Sequence, residues 1–160
     1  MGAGKTTIGR QLARDMDKVF YDSDRELEGR TGVDIPLIFD IEGEAGFRRR
    51  EKAMVAELAA LTDVVLATGG GAILDPDNRA ALRTNGFVIY LHAPLQRLYE
   101  RTRRDRNRPL LQTENPRKAI AELMAHRDPL YRSIADLIVE TDSRTVRAIV
   151  RQIRNKLKEL

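Results

Sequence analysis

Gly2-Ala-Gly-Lys-Thr-Thr-Ile-Gly-Arg-Gln-Leu-Ala-Arg-Asp-Met16 joins a glycine-rich turn to an amphipathic helix, and its reading decides the fold. Ile8, Leu12 and Met16 fall on one stripe of a helix that begins near Lys5. Glycines let backbone N–H groups curl around phosphate oxygens, and the helix N-terminus adds its dipole. Gly4-Lys5-Thr6 is the back half of a phosphate loop of the form G-x-x-x-x-G-K-[ST], whose first glycine would stand two residues before Met1. In such a loop Lys5 reaches the β- and γ-phosphates and the Thr6 hydroxyl binds Mg²⁺.

Downstream, short apolar runs alternate with helical patterns. Val19-Phe20-Tyr21, Val64–Thr68, Phe87–Leu91 and Leu137–Glu140 read as buried strands. Between them, residues 23–45 look helical but carry Gly29, Gly32, Pro36 and Gly43. Phe47, Met54, Leu58 and Leu61 mark a longer helix, and further helices are expected near 76–84, 94–101, 117–126 and 146–160. A Pro-Leu-Tyr segment should follow the helix that ends near 126. Apolar strands without alternation, separated by helices, indicate a parallel sheet covered on both faces, with ligands at the carboxyl ends of its strands.

Candidate residues gather at those ends. Asp22-Ser23-Asp24 leaves the first strand, and two carboxylates at i and i+2 can divide a metal and a substrate hydroxyl between them. Gly69-Gly70-Gly71 leaves the second and allows backbone to approach a ligand closely. Arg101 to Arg108 holds five arginines in eight residues, read as part of a mobile loop over 102–116 that closes on transferred phosphate. His92 and His126 have no metal-ligand spacing and are read as structural.

The 160 residues fit one domain, 1–160, with a substrate-binding region about 23–50 and the lid loop about 102–116. Twenty-eight Lys+Arg against 24 Asp+Glu give +4, a mild excess that suits a phosphorylated or carboxylated ligand. Nucleic acid is disfavoured because no aromatics interleave with the arginine cluster. No apolar run approaches the roughly 18 residues of a membrane span. The absence of cysteine excludes disulfides and thiolate metal sites and fits a cytoplasmic protein.

Taken in order, Gly-Ala-Gly-Lys-Thr, Phe-Tyr-Asp-Ser-Asp, Glu-Gly-Glu-Ala-Gly-Phe-Arg, Ala-Thr-Gly-Gly-Gly, Arg-Pro-Leu-Leu and Arg-Asp-Pro-Leu-Tyr resemble bacterial shikimate kinases over nearly the whole chain. The resemblance implies an α/β P-loop kinase fold of three layers, with a parallel sheet of order 2-3-1-4-5, in an enzyme that uses ATP and Mg²⁺ to phosphorylate the 3-hydroxyl of shikimate. By that resemblance Gly2, Ala3, Gly4, Lys5, Thr6 and Thr7 hold the ATP phosphates, Thr6 and Asp22 serve Mg²⁺, and Arg101 packs on adenine. Asp24 orients the substrate hydroxyls, Arg48 and Arg127 grip the shikimate carboxylate, Gly69, Gly70 and Gly71 line the substrate, and Arg108 reaches the transferred phosphate. Lys5, Asp24 and Arg108 are thus the expected catalytic residues. A related kinase for another hydroxy acid such as gluconate, and a non-catalytic nucleotide-binding relative, are the competing readings. Relatives are commonly monomeric, and a monomer is expected. In the family the first, central strand precedes the loop, so the chain is expected to be shortened at its N-terminus, without that strand, and prone to poor stability and inactivity.

Overall fold

The computed structural model describes residues 3–103, 105 and 109–160. Its elements run α1 Lys5–Asp15, β1 Val19–Asp22, α2 Ser23–Thr31, α3 Ile35–Ala59, β2 Val64–Ala67, α4 Pro76–Asn85, β3 Ile89–His92, α5 Leu95–Thr102, α6 Pro116–Ile134, β4 Leu137–Glu140 and α7 Val146–Lys158. Short 3₁₀ turns cover Gly70–Leu74 and Pro109–Leu111.

Helix starts follow local chemistry. Asp22, Asp34, Asp75, Asn115 and Thr145 each accept a backbone N–H of the first turn that follows, at α2, α3, α4, α6 and α7. Such caps satisfy donors that the helix itself leaves orphaned. α1 has no side-chain cap; its N-cap is Gly4 at φ 90°, a left-handed conformation that costs glycine no Cβ clash.

β1 pairs parallel with β2, from Val19 opposite Val64 to Asp22 opposite Ala67. β3 pairs parallel with β4, from Ile89 opposite Leu137 to His92 opposite Glu140. Helices make both crossovers, α2–α3 in the first pair and α5–α6 in the second, as parallel pairing requires. Ile8 and Leu12 of α1 pack with Val139 of β4 and Ile149, Val150 and Ile153 of α7. A second cluster joins Leu27, Ile35, Ile38, Phe47, Met54 and Leu58 of α2 and α3.

The two strand pairs face one another across a cavity of about 550 Å³, lined by Val64–Thr68 on one side, Val88, Ile89 and Leu91 on the other, and α1 and α7 residues. The neighbours are those of strands 2-3 and 4-5 in the expected order 2-3-1-4-5, and among the described residues no strand lies between β2 and β3. This explains one departure from expectation. Val64, Val65 and Leu66 are only half-buried, because they line that cavity. Val19, at the start of β1, is 56% exposed rather than buried.

Two helices run further than their patterns imply. α3 begins at Ile35 and contains Gly43 at φ 70° and ψ 179°, a kink rather than an end. α6 continues through Pro129 to Ile134, so Pro-Leu-Tyr is helical and not a separate segment. Proline removes one helical hydrogen bond. The turn is held instead by Arg132, which donates to Asp128 at 2.8 Å, and by buried Arg127 and Ile134 on either side.

Candidate active site

A side-chain hydrogen bond joins the phosphate-loop helix to the end of the first strand. Thr6 Oγ1 donates to Asp22 Oδ2 at 3.1 Å, while Asp22 Oδ1 accepts from the amides of Asp24 and Arg25 at 3.1 and 3.3 Å. One carboxylate oxygen therefore caps α2 and the other faces the Thr6 hydroxyl. Among the described residues no cluster of three or more His, Cys, Asp or Glu side chains forms a closed metal cage. A hydroxyl and a carboxylate side by side nonetheless fit Mg²⁺, which keeps waters and takes most ligands from substrate phosphates.

Capping by Asp22 points α2 so that Asp24 lies in its first turn, against the glycine turn. Ser23 is fully buried, and its Oγ accepts the Gly69 amide at 3.2 Å, tying α2 to the end of β2. A Cβ on Gly69 would sit 2.8 Å from Asp24 Oδ1 and 3.0 Å from Glu51 Oε2. A Cβ on Gly71 would sit 2.3 to 2.5 Å from the Arg48 guanidinium. Gly69 is at φ −59°, within reach of any residue, so these glycines are demanded by the side chains against them and not by a positive φ.

Arg48 rises from the second half of α3. It donates to Glu51 Oε1 at 2.9 Å and to Glu44 Oε1 at 3.2 Å, one turn on either side. Glu51 is 1% exposed, and burial pushes its carboxyl above the ordinary range although Arg48 draws it down. Arg127 of α6 is 3% exposed, and its charge also reaches Glu51 and the Tyr131 hydroxyl. Arg48 Nε, Glu51 Oε2 and Arg127 Nε are buried without a hydrogen-bond partner, polar capacity that an ionic ligand can use. Lys5 shares a cavity of about 100 Å³ with Ala3, Thr68, Gly69, Gly70 and Tyr131, so the phosphate loop and the glycine turn open on one space.

The structure thus brings Ala3, Gly4, Lys5, Thr6, Asp22, Asp24, Arg48, Gly69, Gly70, Gly71 and Arg127 to one end of the strands. Thr7 lies exposed in the first turn of α1, and Arg101 lies exposed in the last turn of α5. Gly2 and Arg108 lie outside the described residues. His92 Nδ1 lies 2.7 Å from Glu140 on the neighbouring strand.

The family model described as shikimate kinase matches residues 1–158. A shikimate kinase of Thiobacillus denitrificans is 60% identical over 157 residues, covering 98% of this chain and 86% of that protein. One of Pseudomonas entomophila is 59% identical over 160 residues, covering 100% and 93%. The chain belongs to the shikimate kinase family. It is therefore a phosphotransferase with an alcohol acceptor. A solved shikimate kinase from Acinetobacter baumannii, in complex with shikimate, superposes with a TM-score of 0.97 at 47% identity, covering 99% of this chain and 89% of that one.

Within the shikimate kinase fold, Glu51 and Tyr131 join this site although neither is among the site residues expected from the sequence. Glu51 stands in Phe-Arg-Arg-Arg-Glu, where its i+3 spacing from Arg48 is the available signal. Tyr131 closes Arg-Asp-Pro-Leu-Tyr, four residues after Arg127, and donates its hydroxyl to the Gly70 carbonyl at 2.5 Å. Only the folded chain puts that tyrosine beside a turn 61 residues away.

Proposed function

We propose that this chain, acting as one cytoplasmic, monomeric domain, transfers the terminal phosphoryl group of ATP to the 3-hydroxyl of shikimate. One observation carries the reading: Arg48, Arg127 and Asp24 gather around a glycine turn that shares its cavity with Lys5. Shikimate offers a carboxylate for the arginines and hydroxyls for Asp24. Planar guanidinium forks match a carboxylate better than point charges do.

Phosphoryl transfer leaves little covalent work to the protein, so its contribution is alignment and charge neutralisation. Gly4 and the N-terminus of α1 cradle the phosphates, and Lys5 neutralises charge on the β- and γ-oxygens. Thr6 and Asp22 would hold Mg²⁺, which would supply positive charge to screen the phosphates. Thr7 and Arg101 contribute on the nucleotide side, and Arg108 neutralises the transferring group. Asp24 holds the 3-hydroxyl in line and accepts its proton as the phosphorus–oxygen bond forms. Alignment of this kind supplies much of the rate without a strongly perturbed base.

A coupled assay of ADP release with shikimate and gluconate side by side tests the substrate. Turnover with shikimate and none above background with gluconate is expected; preference for gluconate would overturn the reading.

A further inference from the structure

Tyr131 leaves α6 one turn after Arg127, so the two side chains share a helix face. Its hydroxyl donates to the Gly70 carbonyl, and its ring is packed on Tyr90 at 4.8 Å between centroids. Tyr90 is anchored in turn by donating to Asp128 Oδ1 at 2.8 Å. Burial raises the Tyr131 pKa more than Arg127 lowers it, so the hydroxyl stays a donor at neutral pH.

The consequence lies in the peptide it holds. In a trans peptide the carbonyl and the N–H point to opposite edges. Pinning the Gly70 carbonyl therefore fixes the direction of the Gly71 N–H. On the Gly71 side, the Arg48 guanidinium occupies the space of the missing Cβ. One peptide unit is thus held between Tyr131 and Arg48, and the helix that carries Arg127 is tied to it.

We propose that Tyr131 is a positioning residue that keeps the glycine turn in register with Arg127 and Arg48. The substrate part of this inference rests on the shikimate site described above. Without the hydroxyl the turn keeps its packing but loses its orientation, and donors on two elements no longer converge on one carboxylate.

The test compares Tyr131→Phe with Tyr90→Phe, both in the full chain. Loss of one buried hydrogen bond predicts a shikimate KM about three- to tenfold higher in Tyr131→Phe, with kcat within about twofold and KM for ATP unchanged. Tyr90→Phe, which leaves the Gly70 contact intact, should keep the wild-type shikimate KM. A second readout needs no substrate. The Ala72 amide, which donates across the turn to the Gly69 carbonyl at 3.1 Å, should exchange its hydrogen faster in Tyr131→Phe and not in Tyr90→Phe. Unchanged Ala72 exchange, an unchanged shikimate KM, or an equal rise in both KM values would each overturn the positioning role. Absence of shikimate turnover in the wild type would overturn the substrate reading instead, while the exchange result still decides the role of Tyr131.

Discussion

Gly71 is held at glycine by its neighbour and not by its backbone. The atoms that a methyl there would strike belong to the far end of Arg48, which can swing away. Gly71→Ala should therefore displace the guanidinium from Glu51 and the substrate together, costing recognition and, because buried Glu51 loses its partner, stability as well. Misplacement by about 1 Å can cost on the order of a hundredfold. The expected result is a shikimate KM at least about tenfold higher together with a lower Tm, measured by steady-state kinetics and thermal unfolding. Glu51 makes a pH prediction. Its carboxyl is raised above the ordinary 4.5 because burial outweighs Arg48. A raised acid contributes stability that is full below the unfolded value and lost as pH rises through the folded one. Glu51→Gln removes that dependence. Its Tm relative to wild type should climb as pH rises from 4.5 through the folded pKa and then level off. A variant Tm that falls relative to wild type over the same range would contradict the assignment.

Elements show where a sequence pattern stops being informative. α3 carries Arg48 and Glu51 on its second half, and Gly43 breaks the helix just before Glu44. At φ 70° and ψ 179° the backbone is in a region essentially reserved for glycine, while a methyl there would meet open space. Gly43→Ala should thus destabilise through strain alone, by about 1–3 kcal/mol, read from urea unfolding. The phosphate loop, the Asp22–Asp24 pair, the triple glycine and every strand were legible in the sequence, because each rests on local spacing or a local turn. The course of α6 through Pro129 was not. Proline is a local stop signal, overruled here by burial of Arg127 and Ile134 and by the Asp128–Arg132 pair. Glu51 and Tyr131 were illegible for a related reason. Their roles depend on partners brought together by the fold: Tyr131 ends the Arg-Asp-Pro-Leu-Tyr motif, but nothing in that motif points to the Gly70 carbonyl 61 residues away.

At the scale of the whole molecule, the strand pairs β1–β2 and β3–β4 present facing edges across an apolar cavity of about 550 Å³. Facing edges offer backbone donors and acceptors to one extended segment, and the Val64–Leu66, Ile89 and Leu91 side chains would be dried by it. A valine- and isoleucine-rich peptide of about eight residues, added in trans, should bind there and raise Tm. At a hundredfold excess over Kd the stabilisation is about 2.7 kcal/mol. For a chain of this size that amounts to roughly 5–10 °C. A peptide with alternate prolines should give no shift. The catalytic account is tested at the same scale by ³¹P NMR of the chain with Mg·ATP and shikimate, with and without that peptide, beside Lys5→Met. The expected result is one new phosphate resonance, coupled to the proton at position 3 of shikimate, stronger with the peptide and absent in Lys5→Met. Phosphate on another hydroxyl, no product in either condition, or unchanged turnover in Lys5→Met would contradict it.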